Sequence, residues 1–179
     1  MAAVTTRWDF EPGHSSVTFA ARHMMITIVR GQYKNLKGTL YFDPSDPTHS
    51  AVEVTLHAAS FSTAEPDRDA HLRSVDFLDA ENFPAIHFKS THVEATGFST
   101  YTITGDLTIR GVTRPVTLDA HYYGPVDTPF HNTRIGFLAT ARIRREDFGV
   151  SWNNPMPGGG YVVAKEVDLT IDVEAIRAE

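Results

Sequence analysis

The stretch EVDLTIDVEA, residues 166–175, alternates apolar and polar residues without a break. Val167, Leu169, Ile171 and Val173 fall on one side, with acidic residues and a threonine on the other. Because successive side chains of a β-strand point to opposite faces, this alternation is typical of a strand with one buried face and one solvent-exposed face. Antiparallel sheets are built from such strands. The stretch therefore indicates an all-β protein.

The same two-residue period recurs along most of the chain. Four further segments carry it: SSVTFAA (15–21), AVEVTLHA (51–58), VTLDAHYY (116–123) and RIGFLATARI (134–143). Three more segments are strand candidates: GTLYFD (38–43), AIHFKST (85–91) and YTITGDLTI (101–109). Short turns rich in Gly, Pro or Asp connect them. About eight strands joined in this way predict an antiparallel barrel or sandwich. Without an internal repeat or a linker, residues 1–179 form one domain.

One stretch departs from this period, DRDAHLRSVDFLDAENFPAIHF at 67–88. Pro66 and Asp67 are typical of a helix start, and we expect Asp67 at the N-cap. The helix must end before Phe83, because Pro84 drives the residue before it into an extended conformation. The stretch is therefore predicted to be a short helical crossover that leads into the strand at 85–91.

Composition excludes several classes of function. Lys and Arg total 16 and Asp and Glu total 22, a net charge of −6 that argues against nucleic acid as a partner. We interpret the one basic cluster, Arg142, Arg144 and Arg145, as a solvated strand end. The absence of cysteine excludes disulfides and thiolate chemistry. No segment is apolar enough to span a bilayer.

The N-terminal residues contain no apolar core of a signal peptide, so we expect a cytoplasmic protein, or a periplasmic or secreted one if a leader was removed. Asp69 and His71 stand two residues apart, which on a helix points them to different faces, and no second ligand pair stands out. We therefore predict no metal and no cofactor. The loop PMPGGGYVV, 155–163, lacks the Lys-Ser/Thr of a phosphate-binding loop, and no catalytic signature stands out.

Small residues occupy apolar-face positions where strands favour bulky ones. Ala21, Ala58, Ala139 and Ala141 are of this kind. In a small barrel they fit the taper, or they leave a cavity for one small ligand, since eight strands are just wide enough to hold one. The pattern alone leaves both explanations open.

Several motifs resemble a known family. They are HSSVTFAARH (14–23), GTLYFDP (38–44), DAHLRSVDFLDAENFPAIHFKST (69–91), GDLTIRGVTRPVTL (105–118) and REDFGV (145–150). In this order they resemble the YceI family of bacterial polyisoprenoid-binding proteins, over about residues 8–175. The resemblance implies an extended, eight-stranded antiparallel, lipocalin-like barrel with a helical crossover and a lipid in its central tunnel. Glu11 stands where family members usually carry Asp, and the export leader of many members is not seen.

The resemblance also implies a set of ligand-binding residues. We expect these tunnel residues: Phe19, Ala21, Phe42, Leu72, Phe77, Phe83, Phe88, Phe137, Ala139 and Ala141. Four side chains near the rim are candidates for contacting a polar head group: His23, Arg68, His71 and Arg73. A simpler alternative stays open, in which Arg73 pairs with Asp69 or Asp76 and stabilises the crossover.

Three functions follow. The first is a non-enzymatic carrier or store for an isoprenoid-type or other long-chain amphiphilic lipid, with a quinone-like molecule among the candidate ligands. The second is an enzyme that uses the same tunnel, with His23 or His71 in acid–base chemistry on a hydrophobic substrate. The third is a module that regulates a partner protein, for which the sequence offers no interface signal. A homodimer is left open.

Overall fold

The computed structural model describes residues 5–43 and 45–179, and within these ranges eleven β-strands form one sheet. All strand pairs are antiparallel. The strands are β1 Thr6–Phe10, β2 Ser16–His23, β3 Thr27–Tyr33, β4 Lys37–Phe42, β5 Ala51–His57, β6 Phe61–Ser62, β7 Ala85–Ala95, β8 Thr100–Ile109, β9 Val112–Asp127, β10 Thr133–Arg144 and β11 Glu166–Arg177.

Eight of these strands close into a barrel. The order runs β1-β4-β5-β7-β8-β9-β10-β11, and β11 then pairs with β1, where Trp8 lies opposite Arg177. The closure leaves no free edge at this part of the sheet, which is how antiparallel barrels avoid edge-to-edge association. The predicted eight-stranded antiparallel barrel is confirmed.

The other three strands extend from the barrel. The N-terminal half of β11 pairs with β2, which continues into β3 and ends at the two-residue strand β6. The barrel strands therefore differ from the eight segments predicted from the sequence. Strands β1, β3 and β6 were not predicted, whereas β2 was predicted and lies outside the closed ring.

The crossover contains one α-helix, α1, which spans Pro66–Arg73 and stands between β6 and β7. The predicted N-cap was wrong by two residues: Glu65 occupies that position, without a side-chain capping bond, and Asp67 lies in the first turn. Pro66 explains the shift, because proline suits the first helical position and sets the start of the helix. Turns occupy 74–82, so the helix ends well before Phe83.

Buried side chains fill the barrel at its two ends. The first cluster includes Trp8, Phe42 and Tyr101, and the second includes Phe77 and Phe148. Among the described residues, no helix is long and apolar enough to cross a membrane.

Candidate functional site

An internal cavity of about 290 Å³ lies between the two clusters. Its lining reaches from Phe10 at one end of the barrel to Phe77 and Phe148 at the other. Apart from Tyr33 and Arg145, the lining side chains are hydrocarbon. An engineered apolar cavity of roughly 150 Å³ stays dry and binds benzene. A cavity about twice that size suits a longer apolar molecule.

The two-residue period of the strands builds the cavity wall. In β5, Val52, Val54 and Leu56 line the cavity, while Glu53 and Thr55 between them are exposed to solvent. The same alternation places the apolar face of β11 inside the barrel. The periodicity that predicts the strands thus also predicts which side chains point inward.

Seven of the ten expected tunnel residues line this cavity: Phe19, Ala21, Leu72, Phe77, Phe88, Phe137 and Ala139. The other three lie elsewhere. Phe42 packs into an aromatic cluster, Phe83 stands over Gly111, and Ala141 packs against the second buried cluster.

Two glycines, rather than alanines alone, keep the cavity open. A Cβ on Gly31 would lie 2.1 Å from Cζ of Phe19, and a Cβ on Gly105 would lie 2.5 Å from Cζ of Phe88. Each ring therefore lies directly against the backbone of the sheet, in an approach that only glycine permits. Large aromatic side chains thereby cover the wall and still leave space along the barrel axis. The period-two pattern does not reveal this feature, although a glycine that faces a phenylalanine on a neighbouring strand is a usable signal.

Aromatic rings close one end of the cavity. The ring of Phe42 lies 5.0 Å from Tyr122, 5.3 Å from Phe137 and 5.8 Å from Tyr101, centroid to centroid. Burial raises the pKa of both tyrosine hydroxyls. The buried Nε1 of Trp8 finds no acceptor among the described residues. This end is therefore densely packed, with few polar atoms.

The other end is covered by the crossover. The His71 ring stands edge-on to Phe77 and Trp152, with centroids 5.0 and 4.7 Å away, and its Nε2 lies 2.9 Å from a carboxylate oxygen of Asp76. His23 is the last residue of β2 and forms an isolated bridge with Val163. Neither histidine belongs to the cavity lining.

The two candidate arginines of α1 bind backbone carbonyls. Arg73 donates to the carbonyl oxygens of Ala59 and Phe61, each at 2.9 Å, and Arg68 donates to the hydroxyl and the carbonyl of Thr63. Arg73 therefore binds these backbone carbonyls in place of the ion pair with Asp69 or Asp76 that the sequence left open.

Asp69, an acidic residue of the same helix, also binds the backbone of the neighbouring segment. Asp69 is buried and accepts hydrogen bonds from the amide and the hydroxyl of Thr63. Buried carboxylates are stable when such charge-assisted bonds satisfy them. The polar stretch at 67–73 therefore holds the chain between β6 and α1 in place.

Arg145 is the charged residue that sequence analysis misplaced. Instead of lying at a solvated strand end, it is buried at the start of a short 3-10 helix and lines the cavity. It donates to four carbonyl oxygens, those of Val150, Trp152, Val163 and Ala164. Burial lowers the pKa of its guanidinium, and the carboxylate of Glu146 opposes this shift.

Tyr33 is the other lining residue with a polar group. Its hydroxyl donates to the carbonyl oxygen of Ala58 at 3.0 Å. Burial raises the pKa of this hydroxyl, and the charge of Arg73 opposes the rise. Within residues 5–43 and 45–179, no group of three His, Asp or Glu side chains is arranged to hold a metal ion.

Comparison with known proteins agrees with this architecture. Residues 8–175 match the model of the YceI-like domain. Protein YceI of Escherichia coli O157:H7 is 38% identical over 170 residues, covering 94% of this chain and 85% of that relative. Burkholderia cenocepacia BcnA has the same fold, with a TM-score of 0.80 at 23% identity over 93% of this chain and 99% of its own.

A second solved structure has the same fold at a greater distance. A polyisoprenoid binding domain from Saccharophagus degradans superposes with a TM-score of 0.68 at 10% identity, over 98% of this chain and 100% of its own. With a family match over nearly the whole chain and a curated relative at 38% identity, the chain belongs to the YceI-like family.

Proposed function

We propose that the chain binds one long apolar molecule of the isoprenoid type inside its barrel. The observation that carries this proposal is the cavity of about 290 Å³ with an almost entirely hydrocarbon lining. The family match supports it, as does the fold shared with the polyisoprenoid binding domain of Saccharophagus degradans. Burial of apolar ligand surface contributes roughly 25 cal/mol per Å², so affinity grows with the length of the enclosed chain.

We further propose that the cavity selects the tail of its ligand rather than a head group. A guanidinium has five N–H groups, and Arg145 uses most of them on four carbonyls. The Tyr33 hydroxyl already donates to Ala58. A charged head group inside this lining would lack the partners that offset its desolvation. The polar end of a ligand therefore lies outside the cavity.

Binding without turnover fits the lining better than catalysis does. An acid–base residue must come within hydrogen-bond reach of the proton that it moves. His23 and His71, the two candidate acid–base residues, do not line the cavity. We therefore propose a carrier or store for an apolar lipid.

Mass spectrometry of a solvent extract from freshly purified protein tests the proposal. We expect a long apolar compound at about one equivalent per chain, and uptake of a prenyl alcohol or quinone by the delipidated protein. Failure to extract or take up any such compound would refute the proposed function. A compound chemically altered after incubation would indicate an enzyme instead.

A pair of variants on one strand provides the control. Ala139 is buried and lines the cavity, whereas its neighbour Thr140 is exposed on the opposite face of β10. Ala139→Trp places an indole in the cavity and should greatly reduce uptake while the delipidated protein stays folded. Thr140→Trp adds the same ring outside the barrel and should leave uptake unchanged. Loss of the folded state in Ala139→Trp alone would show that this position is ordinary close-packed core.

A further inference from the structure

The turn between β2 and β3 exposes large apolar side chains. Met25 is 64% exposed and Ile26 is 79% exposed, and Met24 and Ile28 beside them are also exposed. Single exposed apolar residues are common, but contiguous ones mark interaction surfaces. The turn lies at the tip of a hairpin that extends from the closed barrel.

The backbone of this turn is unsuited to the residues that occupy it. Met24 and Met25 have φ angles of 49° and 62°, and the amide of Ile26 donates to the carbonyl of His23 at 3.1 Å. Two central residues with positive φ are the pattern of a type I′ turn, for which Asn-Gly is preferred. Methionine at both positions is strained and gains little burial. A local rule broken without benefit to the fold points to a function for the side chains.

A second loop enlarges this apolar surface. The amide of Met24 donates to the carbonyl of Val162 at 2.8 Å, and a Cβ on Gly160 would lie 2.6 Å from Sδ of Met25 and 3.3 Å from Cε of Met156. Tyr161 of the same loop is exposed. The side chains of the turn and of the loop therefore form one surface, the apolar tip: Met24, Met25, Ile26, Ile28, Met156 and Tyr161.

Positively charged side chains lie beside the apolar tip. Residues 20–33 of the hairpin contain Arg22 and Arg30 and no carboxylate, and residues 149–165 contain Lys165 and no carboxylate, in a chain with a net charge of −6. Arg22 and Arg30 are exposed, and neither forms an ion pair within residues 5–43 and 45–179. Lys165 lies 3.6 Å from Glu146. The surface is thus apolar, with two exposed and unpaired arginines beside it among the described residues.

The apolar tip adjoins the cavity. Ala21 and Val163 both line the cavity, and the bridge between His23 and Val163 joins the hairpin to the loop. The tip therefore begins within a few residues of the cavity wall, at the end that the crossover covers.

We propose that the apolar tip docks this protein onto the surface of an anionic lipid bilayer. Exposed apolar side chains bordered by Arg and Lys bind at membrane interfaces, because the hydrocarbon enters the interface while the cations meet anionic lipid head groups. A membrane surface, rather than a protein partner, fits an apolar tip beside Arg22 and Arg30, which are exposed and form no ion pair among the described residues. The inference goes beyond the proposed function and does not require that the cavity hold a ligand.

Vesicle co-sedimentation with the full, delipidated chain tests the proposal. We expect binding to vesicles of phosphatidylcholine with phosphatidylglycerol, and weaker binding to phosphatidylcholine alone. Met25→Asn/Ile26→Thr should weaken binding at least about tenfold, because two inserted side chains become polar. Asn tolerates positive φ and Thr keeps β-branching, so the melting temperature should not fall.

Two further variants separate the components. Arg22→Gln/Arg30→Gln should lower the affinity for anionic vesicles about tenfold and change the affinity for phosphatidylcholine vesicles little. Phe98, fully exposed in the turn between β7 and β8, is the matched control. Phe98→Ser should leave binding unchanged.

Two outcomes would overturn the proposal. One is that the wild-type protein binds neither kind of vesicle, or that the Met25→Asn/Ile26→Thr variant binds as well as the wild type. The other is a dimer in sedimentation velocity that the Met25→Asn/Ile26→Thr variant abolishes, without vesicle binding, which would assign the tip to a second copy of the chain.

Discussion

Replacing Gly31 by alanine tests whether the aromatic rings that lie against the wall keep the cavity open. A Cβ at this position would lie 2.1, 2.6 and 2.7 Å from three ring atoms of Phe19. Ordinary contact begins at 3.4 Å, so the ring has to withdraw by about 1.3 Å. Phe61 and Tyr33 stand 5.6 and 6.0 Å from this ring and limit sideways movement. The ring therefore moves toward the cavity.

The expected cost follows from two opposing effects. Overpacking costs about 1–3 kcal/mol, while alanine in place of glycine in a strand gains roughly 0.5–1 kcal/mol. The free energy of unfolding of delipidated Gly31→Ala should therefore fall by up to about 2.5 kcal/mol. Lipid uptake should fall as well, because the displaced ring occupies ligand space. Urea unfolding and uptake of a prenyl alcohol measure the two effects.

A second glycine in a strand provides the matched control. A Cβ on Gly136 would meet only the carbonyl oxygen of Val173 at 3.5 Å and Cβ of Tyr123 at 3.7 Å, both ordinary contacts. Gly136→Ala should thus keep or slightly increase stability and leave uptake unchanged. If Gly31→Ala behaves in the same way as this control, the ring does not depend on the glycine and the account of the cavity wall is wrong.

Three further substitutions test the buried polar contacts. Asp69→Ala leaves the buried amide of Thr63 without its acceptor and should lower the free energy of unfolding by about 1–3 kcal/mol. Lipid uptake by the folded variant should be unchanged. A folded variant with reduced lipid affinity would instead indicate a head-group role for residues 67–73. Burial raises the folded-state pKa of Tyr33 above the ordinary 10.0. The contribution of the neutral Tyr33 hydroxyl to the free energy of unfolding is therefore complete below pH 10 and is lost as the pH rises toward the folded-state pKa. Unfolding of Tyr33→Phe at increasing pH should then show a slope smaller by up to about 1.4 kcal/mol per pH unit, and an unchanged slope would contradict the assignment. Arg145→Lys cannot supply the planar set of donors to four carbonyls and should cost about 2 kcal/mol or more in chemical denaturation; a stable variant that loses ligand would instead place Arg145 in ligand contact.

The strands were predictable to the extent that each shows its period over enough residues. Strand β11 alternates from Glu166 to Ala175, whereas β1 has only Trp8 and Phe10 as apolar positions in five residues. In β3 the alternation is interrupted by Gly31, which is present because Phe19 lies against it. A residue that serves a partner strand weakens the local pattern of its own strand. The count of eight barrel strands was therefore right while one of the segments assigned to the ring was not.

Arg145 could not be placed from sequence for a different reason. In the sequence it follows Arg142 and Arg144, which are exposed and bind Asp168 and Glu146. Alternation continued from β10 would place Arg145 on the inward face with Ile143, opposite to Arg142 and Arg144. A charged residue is rarely assigned to an apolar face, because burial of an unpartnered charge is costly. The strand ends at Arg144, and the 3-10 helix that follows turns Arg145 inward, toward carbonyls that only the folded loop brings together. Contacts of this kind depend on tertiary structure and have no local signal.

The same carbonyl chemistry explains the polar stretch beside the helix. Strand β6 ends the extension of the sheet and, within residues 5–43 and 45–179, pairs with β3 alone, so its outer edge needs hydrogen-bond donors from elsewhere. The carbonyl of Phe61 in β6, and those of Ala59 and Thr63 on either side of the strand, receive bonds from Arg73 and Arg68.

The helix therefore covers the free edge of β6 with side chains in place of another strand. The cost is that the cations of α1, which resembled a head-group site in the sequence, are engaged with the backbone. Arg145 is engaged in the same way at the neighbouring part of the barrel. Because these three cations are committed to carbonyls, we expect the barrel to distinguish ligands by the length and shape of an apolar chain and to discriminate weakly between head groups.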